Sequence, residues 1–404
     1  MIPVEEARAR ILADLHPLPA EQISLADAFG RVLAENLAAR RTQPPTAVSA
    51  MDGYAVRADD ITIVPARLRV IGSAPAGTAF NGRVNAGEAI RIFTGGPLPD
   101  GANTVVIQEN VDTSDSEIVV HSSAIEGAFM RPAGLDFMKG QILLEQGRIL
   151  TARDIGLAAA MNIPWLMVRR RPRVAILATG DEIVMPGELL GPNQIVSSNG
   201  PALAALVQTC GGVPVSLGIA ADNPTALKMR AAAAIGADLL ITSGGASVGE
   251  HDIVQRVLGE AGLKVDFWRV AMRPGKPLIF GHLDNIPMIG VPGNPVSALV
   301  CGVLFVRPAL ERLLGVDREK APPAIALLGS DLPANDERQD YLRASLSHRD
   351  DGQLVATPFE QQDSSMFVLM ARADCLVVRS PDAPPAEAGS RIEIIHLVGG
   401  RPGT

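Results

Sequence analysis

Aromatic residues make up only 3% of this 404-residue chain, which carries three cysteines and six histidines. Each scarcity excludes something. So few rings provide no stacking platform for single-stranded nucleic acid. Cys210, Cys301 and Cys375 stand far apart and form no CxxC pair. That argues against a zinc knuckle and a disulfide framework, and the three read as small buried hydrophobes. The histidines are scattered and no HExxH occurs, so a histidine-based metal site is not indicated. GxGxxG and GxxxxGK[ST] are both missing, which removes the dinucleotide and Walker fingerprints. The longest largely apolar run, 296–306, is too short to span a bilayer. A net charge of −8 argues against general nucleic-acid binding. Glu5 and Glu6 stand where a secretory leader would be basic and then apolar, so the expectation is a soluble, cytoplasmic protein that binds neither membrane nor nucleic acid.

What is present fits a globular chain with sizeable cores: 47% apolar and 20% charged residues. At roughly 150 residues per domain, the length predicts two to four domains. Three regimes follow one another. Up to about 170, short helices mix with Gly- and Pro-punctuated strands. Ser24 and Asp27 resemble a capping box opening a helix through DAFGRVLAENL, and Pro44–Pro45 starts an extended segment. LRVIG, AIRIF, TVVIQE, EIVVHSS and QILLEQGRIL read as strands, and Thr151 caps a helix from Ala152 to Met161.

From 171 the period changes. RVAILATG, VPVSLGIA, DLLITSGG, VDFWRVAM and IPMIGV read as strands. Between them lie helices from Asn199 to Thr209, from Pro224 to Ile235 and over 252–260, with a long helix from about Val296. Such alternation predicts a central doubly wound, mostly parallel α/β domain. Beyond the Ala321–Pro322–Pro323 linker, AIALLGS, YLRASLS, QLVATP, CLVVRS and RIEIIHL predict a small C-terminal β domain.

In a doubly wound sheet, ligands bind beyond the carboxyl ends of the strands. Four loops emerge there: Thr179–Glu182, the turn at Asp222, Ser243–Asp252 and Pro292–Pro295. Ser243, Gly244, Gly245 and Ser247 open the third, where bare backbone N–H groups can cup an anion. Asp252 follows as a hard ligand for a cation at that anion. Arg269, Arg273 and Lys276 put three cations within eight residues, with Pro and Gly fixing the backbone, as an oxyanion requires. Single acids at strand ends serve equally as helix caps, and cations as surface pairs. Taken together, the loops predict a magnesium-assisted site for a phosphorylated ligand and do not identify that ligand.

Eight motifs, in order, carry a resemblance: SAMDGYAVR at 49–57, IFTGGPLPDGANTVVIQE at 92–109, RPAGLDFMKGQILLEQGRIL at 131–150, ATGDEI at 178–183, QIVSSN at 194–199, ITSGGASVGEHD at 241–252, RPGKP at 273–277 and GVPGNPVSALV at 290–300. Along nearly its whole length the chain resembles the molybdopterin molybdenumtransferase family, which includes MoeA and the gephyrin E domain. The resemblance implies four domains: 1–43 with 134–170, elongated; 44–133, β-rich; 171–318, the molybdopterin-binding α/β domain; and 319–404, β-barrel-like. It implies a homodimer that takes molybdate and adenylylated molybdopterin, hydrolyses the pyrophosphate bond with Mg²⁺ present, and releases AMP. Partners implied are an upstream molybdopterin adenylyltransferase and acceptor molybdoenzymes.

By matching position, the catalytic residues are Asp52, Glu182, Asp222 and Asp252, the last three holding the metal. Thr94, Arg343 and Ser364 join Thr179, Ser243, Gly244, Gly245, Ser247, Arg269, Arg273, Lys276, Pro292 and Asn294 as substrate-binding. The chain departs from the family pattern in two places. Arg269 and Arg273 stand where relatives usually carry Lys, and Thr46–Ala47–Val48 replace a Phe-Asp-Asn run. An adenylyltransferase shares the central fold but is smaller and lacks the flanking motifs. A receptor-clustering scaffold has no need of the three carboxylates.

Overall fold

Residues alternate across a strand, and 174–177 use both faces of one. Val174 and Ile176 join a core with Leu203, Val207, Ile241, Phe305 and Leu310. Ala175 and Leu177 join a second core with Leu227, Ala231, Leu240 and Met288 on the other side. A strand apolar on both faces must be covered twice, which the α/β layering provides. The computed structural model describes residues 1–244, 259, 262–316 and 323–397.

The central sheet has six strands in the order Val213–Ala220, Arg173–Thr179, Leu239–Ser243, Ile286–Val291, Ile279–Leu283, Leu263–Phe267. The first four are parallel, Ile279–Leu283 runs against them, and Leu263–Phe267, antiparallel to that strand, runs with them again. Helices Asn199–Thr209 and Pro295–Cys301 cover one face, and Pro224–Ala232 the other. The doubly wound expectation holds. The expected helix over 252–260 lies outside the described residues, apart from helical Gly259.

Four local expectations are corrected. The strand expected over 265–272 ends at Phe267. The chain then leaves the sheet to meet the N-terminus, where Ile2 N donates to Arg269 O (3.1 Å) and Ala271 N to Ile2 O (2.8 Å). Strand Ile279–Leu283 is an addition to the expected strands; a two-residue turn at Asp284–Asn285, with Asp284 at φ 53°, pairs it to Ile286–Val291. The long helix from Val296 is α-helical over Pro295–Cys301, widens to a π turn over Gly302–Val306 and returns to α over Arg307–Leu313. Pro308, in its first α turn, has no N–H to continue a regular ladder. Only Leu25–Asp27 of the expected N-terminal helix forms, as one 3₁₀ turn. Gly30 takes φ 72°, and Val32 and Leu33 bridge to Ile149 and Val168. Those long-range pairings win over local helical patterning.

A third core joins Leu33, Leu37, Phe137, Leu144, Leu150, Met161 and Val168, so segments before 40 and after 136 fold together. Strand Ala20–Ser24 pairs with Trp165–Arg169, and Thr151 with Asp154 forms a capping box on helix Ala152–Ala160. Helix Val4–Asp14 instead gives Val4, Ala7 and Ile11 to the central core. Inserted between is a six-stranded mixed sheet, in which Gly53–Val56 lies between Thr104–Ile107 and Glu88–Ile92.

The C-terminal strands close on themselves. Gln339–His348 pairs with both Leu354–Pro358 and Cys375–Arg379, and Arg391–His396 joins Cys375–Arg379 to Ala324–Leu328, which pairs with Leu354–Pro358. That ring is a small β-barrel, and helix Phe367–Arg372 beside it had no clear sequence signal. No helix among the described residues is long and apolar enough to cross a membrane.

Candidate functional site

The parallel strands of the central sheet finish together, and their loops are cross-tied. Gly180 N donates to Ala220 O at 3.2 Å, joining two strand ends. Next to it, Asp222 N donates to Asp181 Oδ1 at 2.9 Å and Asp181 N to Asp222 Oδ2 at 3.4 Å. Asp181 and Glu182 are exposed and Asp222 is half-buried. Glu182 folds over Gly180, so that a Cβ at 180 would lie 2.4 Å from Oε2. Two carboxylates, Glu182 and Asp222, therefore stand at one sheet edge.

Thr179 and Gly244 meet at the centre of that edge. A Cβ on Gly244 would lie 2.2 Å from the Thr179 carbonyl oxygen and 2.9 Å from its hydroxyl, so only glycine allows this approach. Thr179 is 3% exposed, and its hydroxyl has no hydrogen-bond partner among the described residues. A buried polar atom without a partner is costly and marks a place where a ligand can compensate it. Asn199, at the start of its helix, donates from Nδ2 to Ser243 Oγ (2.8 Å) and to Gly293 O (2.7 Å). It ties the second glycine-bearing loop to the first. Asn199 and Asp181 were not among the expected site residues. Their signal was position: Asn199 closes the motif at 194–199, and Asp181 sits inside that at 178–183.

Pro292 is buried where strand Ile286–Val291 ends. Asn294 Nδ2 donates to Ser364 Oγ at 2.9 Å, and Val296 N to Ser364 O at 3.3 Å. The barrel's 362–366 loop is thereby brought to the strand-end loops. Arg343 is wrapped by the same loop. Its backbone N and Nε donate to Gln362 Oε1 (3.0 and 3.2 Å), and Nη1 donates to Met366 O (3.1 Å). Arg343 is 1% exposed, and Nη2 has no partner among the described residues. Burial pulls its pKa down, opposed by the charge of Asp363. A desolvated guanidinium with an open N–H is an anion host.

The other expected cations are differently engaged. Arg269 stacks its guanidinium 3.6 Å from the Trp268 ring centroid, and Lys276 is exposed. Arg273 pairs with Asp340, with Asp336 at 3.2 Å, and donates to Asn335 Oδ1 at 3.4 Å. Its hydrogen bond to Asp340 leads the causes that raise its pKa.

Asp52 and Thr94 lie in the inserted β-rich sheet region. Thr94 donates from its backbone N (2.7 Å) and hydroxyl (2.8 Å) to Asp52 Oδ1. The backbone bond, then the hydroxyl bond, then the charge of Arg91 hold the Asp52 carboxyl below the usual range. No hydrogen bond or ion pair among the described residues joins this pair to Glu182 or Asp222. Gly245, Ser247 and Asp252 lie outside the described residues. No group of three or more metal-capable side chains occurs among the described ones.

Three family models match in order. "MoeA N-terminal region (domain I and II)" covers 2–162, "Probable molybdopterin binding domain" 175–312 and "MoeA C-terminal region (domain IV)" 326–397. The chain is 34% identical to a molybdopterin molybdenumtransferase of Haemophilus influenzae, over 99% of this chain and 100% of that protein. To one from Nostoc it is 39% identical, over 82% and 78% respectively. A solved molybdopterin biosynthesis MoeA protein from Pyrococcus horikosii superposes with a TM-score of 0.85 at 32% identity, covering 99% of this chain and all of that one.

Proposed function

Because the chain belongs to the molybdopterin molybdenumtransferase family, a transferase family of molybdenum cofactor biosynthesis, we propose how its strand-end edge handles the two substrates. Adenylylated molybdopterin lies across the loops at Thr179, Ser243, Gly244 and Pro292, with Gly245 and Ser247 completing the cradle. Molybdate, a tetrahedral dianion, sits by Arg343 and Ser364. Pyrophosphate hydrolysis then releases AMP as molybdenum is inserted into molybdopterin. The observations that carry this reading are two buried donors with no partner among the described residues, the Thr179 hydroxyl at the strand ends and Arg343 Nη2 in the barrel, and the Asn294–Ser364 bond that ties the loop around Arg343 to the strand-end loops.

The donor set fits Mg²⁺. Glu182 and Asp222 present hard carboxylate oxygens, and magnesium takes one or two carboxylates plus substrate phosphate oxygens rather than a full protein cage. Asp252 is the third expected ligand. Bound there, the ion would neutralise charge on the pyrophosphate oxygens. The protein's own parts do the positioning. Asp181 holds the Asp222 backbone, and Asn199 fixes Ser243 against Gly293. Arg343, preorganised by Gln362 and Met366, offers Nη2 without reorganisation cost. Arg269 and Lys276 supply local positive charge.

Asp52 and Thr94, bonded within their own region among the described residues, fit a cleft completed by a second copy of the chain. A cytoplasmic homodimer receiving its substrate from an adenylyltransferase and passing its product to apo-molybdoenzymes is the corresponding biological unit. The test is an assay with purified protein, adenylylated molybdopterin, Mg²⁺ and molybdate, following AMP release and reconstitution of an apo-molybdoenzyme. Molybdate-dependent AMP release with reconstitution is expected. ATP consumption without molybdate would instead mark the preceding adenylylation step.

A further inference from the structure

Arg273 and Asp340 are register partners. Met272–Arg273 forms a short parallel ladder with Gln339–Asp340, the first residues of the barrel's longest strand, and Gln339 N donates to Ala271 O at 3.0 Å. Above that backbone contact, the Arg273 guanidinium meets three acceptors from the barrel: Asp340 Oδ2, Asp336 Oδ2 and Asn335 Oδ1. Asp340 is 3% exposed, and its other oxygen has no hydrogen-bond partner among the described residues. A carboxylate so deeply buried needs a cation, and among the described residues Arg273 is bonded to it.

We infer that Arg273 and Asp340 form a clasp seating the barrel on the central domain, which makes Arg273 a positioning residue rather than a direct oxyanion ligand. The path to the site is short. Arg343 lies on the strand Asp340 begins, and it organises Gln362 and Met366. Ser364, between those two, bonds Asn294. Seating the strand therefore sets Arg343 and Ser364 against the central loops. Drawing Arg273 toward an oxyanion would strand Asp340 as a buried, unpaired charge. Geometry also explains Arg at a position where the resemblance leads one to expect Lys. A planar fork reaches two carboxylates and an amide together, whereas an ammonium is a single compact charge. The inference rests on the reading that molybdate binds beside Arg343 and Ser364.

The test compares Arg273→Ala, Asp340→Asn and the double variant of the full-length protein. Readouts are molybdate KM, KM for adenylylated molybdopterin, kcat, and hydrogen exchange over 339–348 and 362–366. A clasp predicts that each single change raises molybdate KM by the same factor, roughly tenfold for a coupled pair. The double variant is then no worse than either single one. Exchange rises equally in all three, with kcat and the other KM little changed. If Arg273 is itself the ligand, Arg273→Ala raises molybdate KM while Asp340→Asn leaves or lowers it, and the inference fails. It fails too if all three melt earlier with an unchanged molybdate KM. Arg273→Lys, which keeps a charge for Asp340, guards against misfolding and must retain part of the exchange protection. If the unmodified protein shows no molybdate-dependent AMP release, the functional reading fails, while the exchange comparison still decides whether the clasp exists.

Discussion

Asp181 and Asp222 hold each other's backbones: each side chain accepts from the other's amide, at 2.9 and 3.4 Å. The exchange stitches two βα loops without a cation, and Asp222 can turn its remaining oxygen outward. Asp222→Asn keeps an acceptor for the Asp181 amide but removes the charge. AMP release should fall by about 10²–10³, the usual effect of deleting a preorganised electrostatic group. Melting temperature should change little, and Mg²⁺ titrated alone should bind more weakly. A variant with unaltered turnover would remove Asp222 from the site.

Asp52 gives a pH prediction with a definite sign. Its carboxyl is held below the ordinary range chiefly by two hydrogen bonds from Thr94. A depressed folded pKa means that the stabilisation is full above the unfolded value and fades as pH falls through the folded one. Thr94→Val deletes the hydroxyl bond but keeps the amide bond. The Asp52 pKa should rise, and the acid limb of the activity profile should move to higher pH. Carbon-detected NMR of the Asp52 carboxyl checks the first part. A limb that stays put while that pKa rises would show that another group controls it.

The elements legible in advance are those whose pattern is set locally. The short apolar runs at 173–179 and 213–220, the Asn–Pro cap at 223–224 and the capping residue Thr151 all state their structure within a few positions. Long-range contact decided the elements that were misread. Residues 28–33 have helical patterning, but Val32 and Leu33 bridge to Ile149 and Val168, more than a hundred residues later. At the site, residue type marked Glu182 and Asp222 as candidates, because exposed acids after buried strands are visible in sequence. Burial is not visible there. Arg343, at 1% exposure, reads like any strand cation until the 362–366 loop closes over it. Asp340 has no local signal, because nothing nearby says that a residue 67 positions earlier will neutralise it.

The cysteines provide a test of packing. Cys301 and Cys375 are both 0% exposed. Burial pushes both thiols up, that of Cys375 to about 12, with the charge of Asp374 contributing at Cys375. Only the thiolate attacks disulfide reagents, so neither should react with a colorimetric disulfide at pH 8 in the native state. Both should react once guanidinium unfolds the chain. Rapid native labelling of either, located by peptide mapping, would contradict the central core or the barrel.

Two glycine substitutions separate backbone strain from damage to the site. Gly180 and Gly236 both have positive φ, 141° and 82°. A Cβ at Gly236 meets nothing within 4 Å, so Gly236→Ala should cost only the strain of an unfavourable backbone region, about 1–3 kcal/mol, with turnover intact. A Cβ at Gly180 lands 2.4 Å from Glu182 Oε2, at the far end of a side chain that can swing away. Gly180→Ala should therefore show a comparable loss of stability together with a displaced Glu182 carboxylate. Turnover should fall toward that of Glu182→Ala, and combining the two changes should add little to the activity loss. Melting curves and AMP-release rates on the two single variants and the Gly180/Glu182 pair decide it. Equal turnover in Gly180→Ala and Gly236→Ala would mean that the position of Glu182 over Gly180 has no bearing on the chemistry.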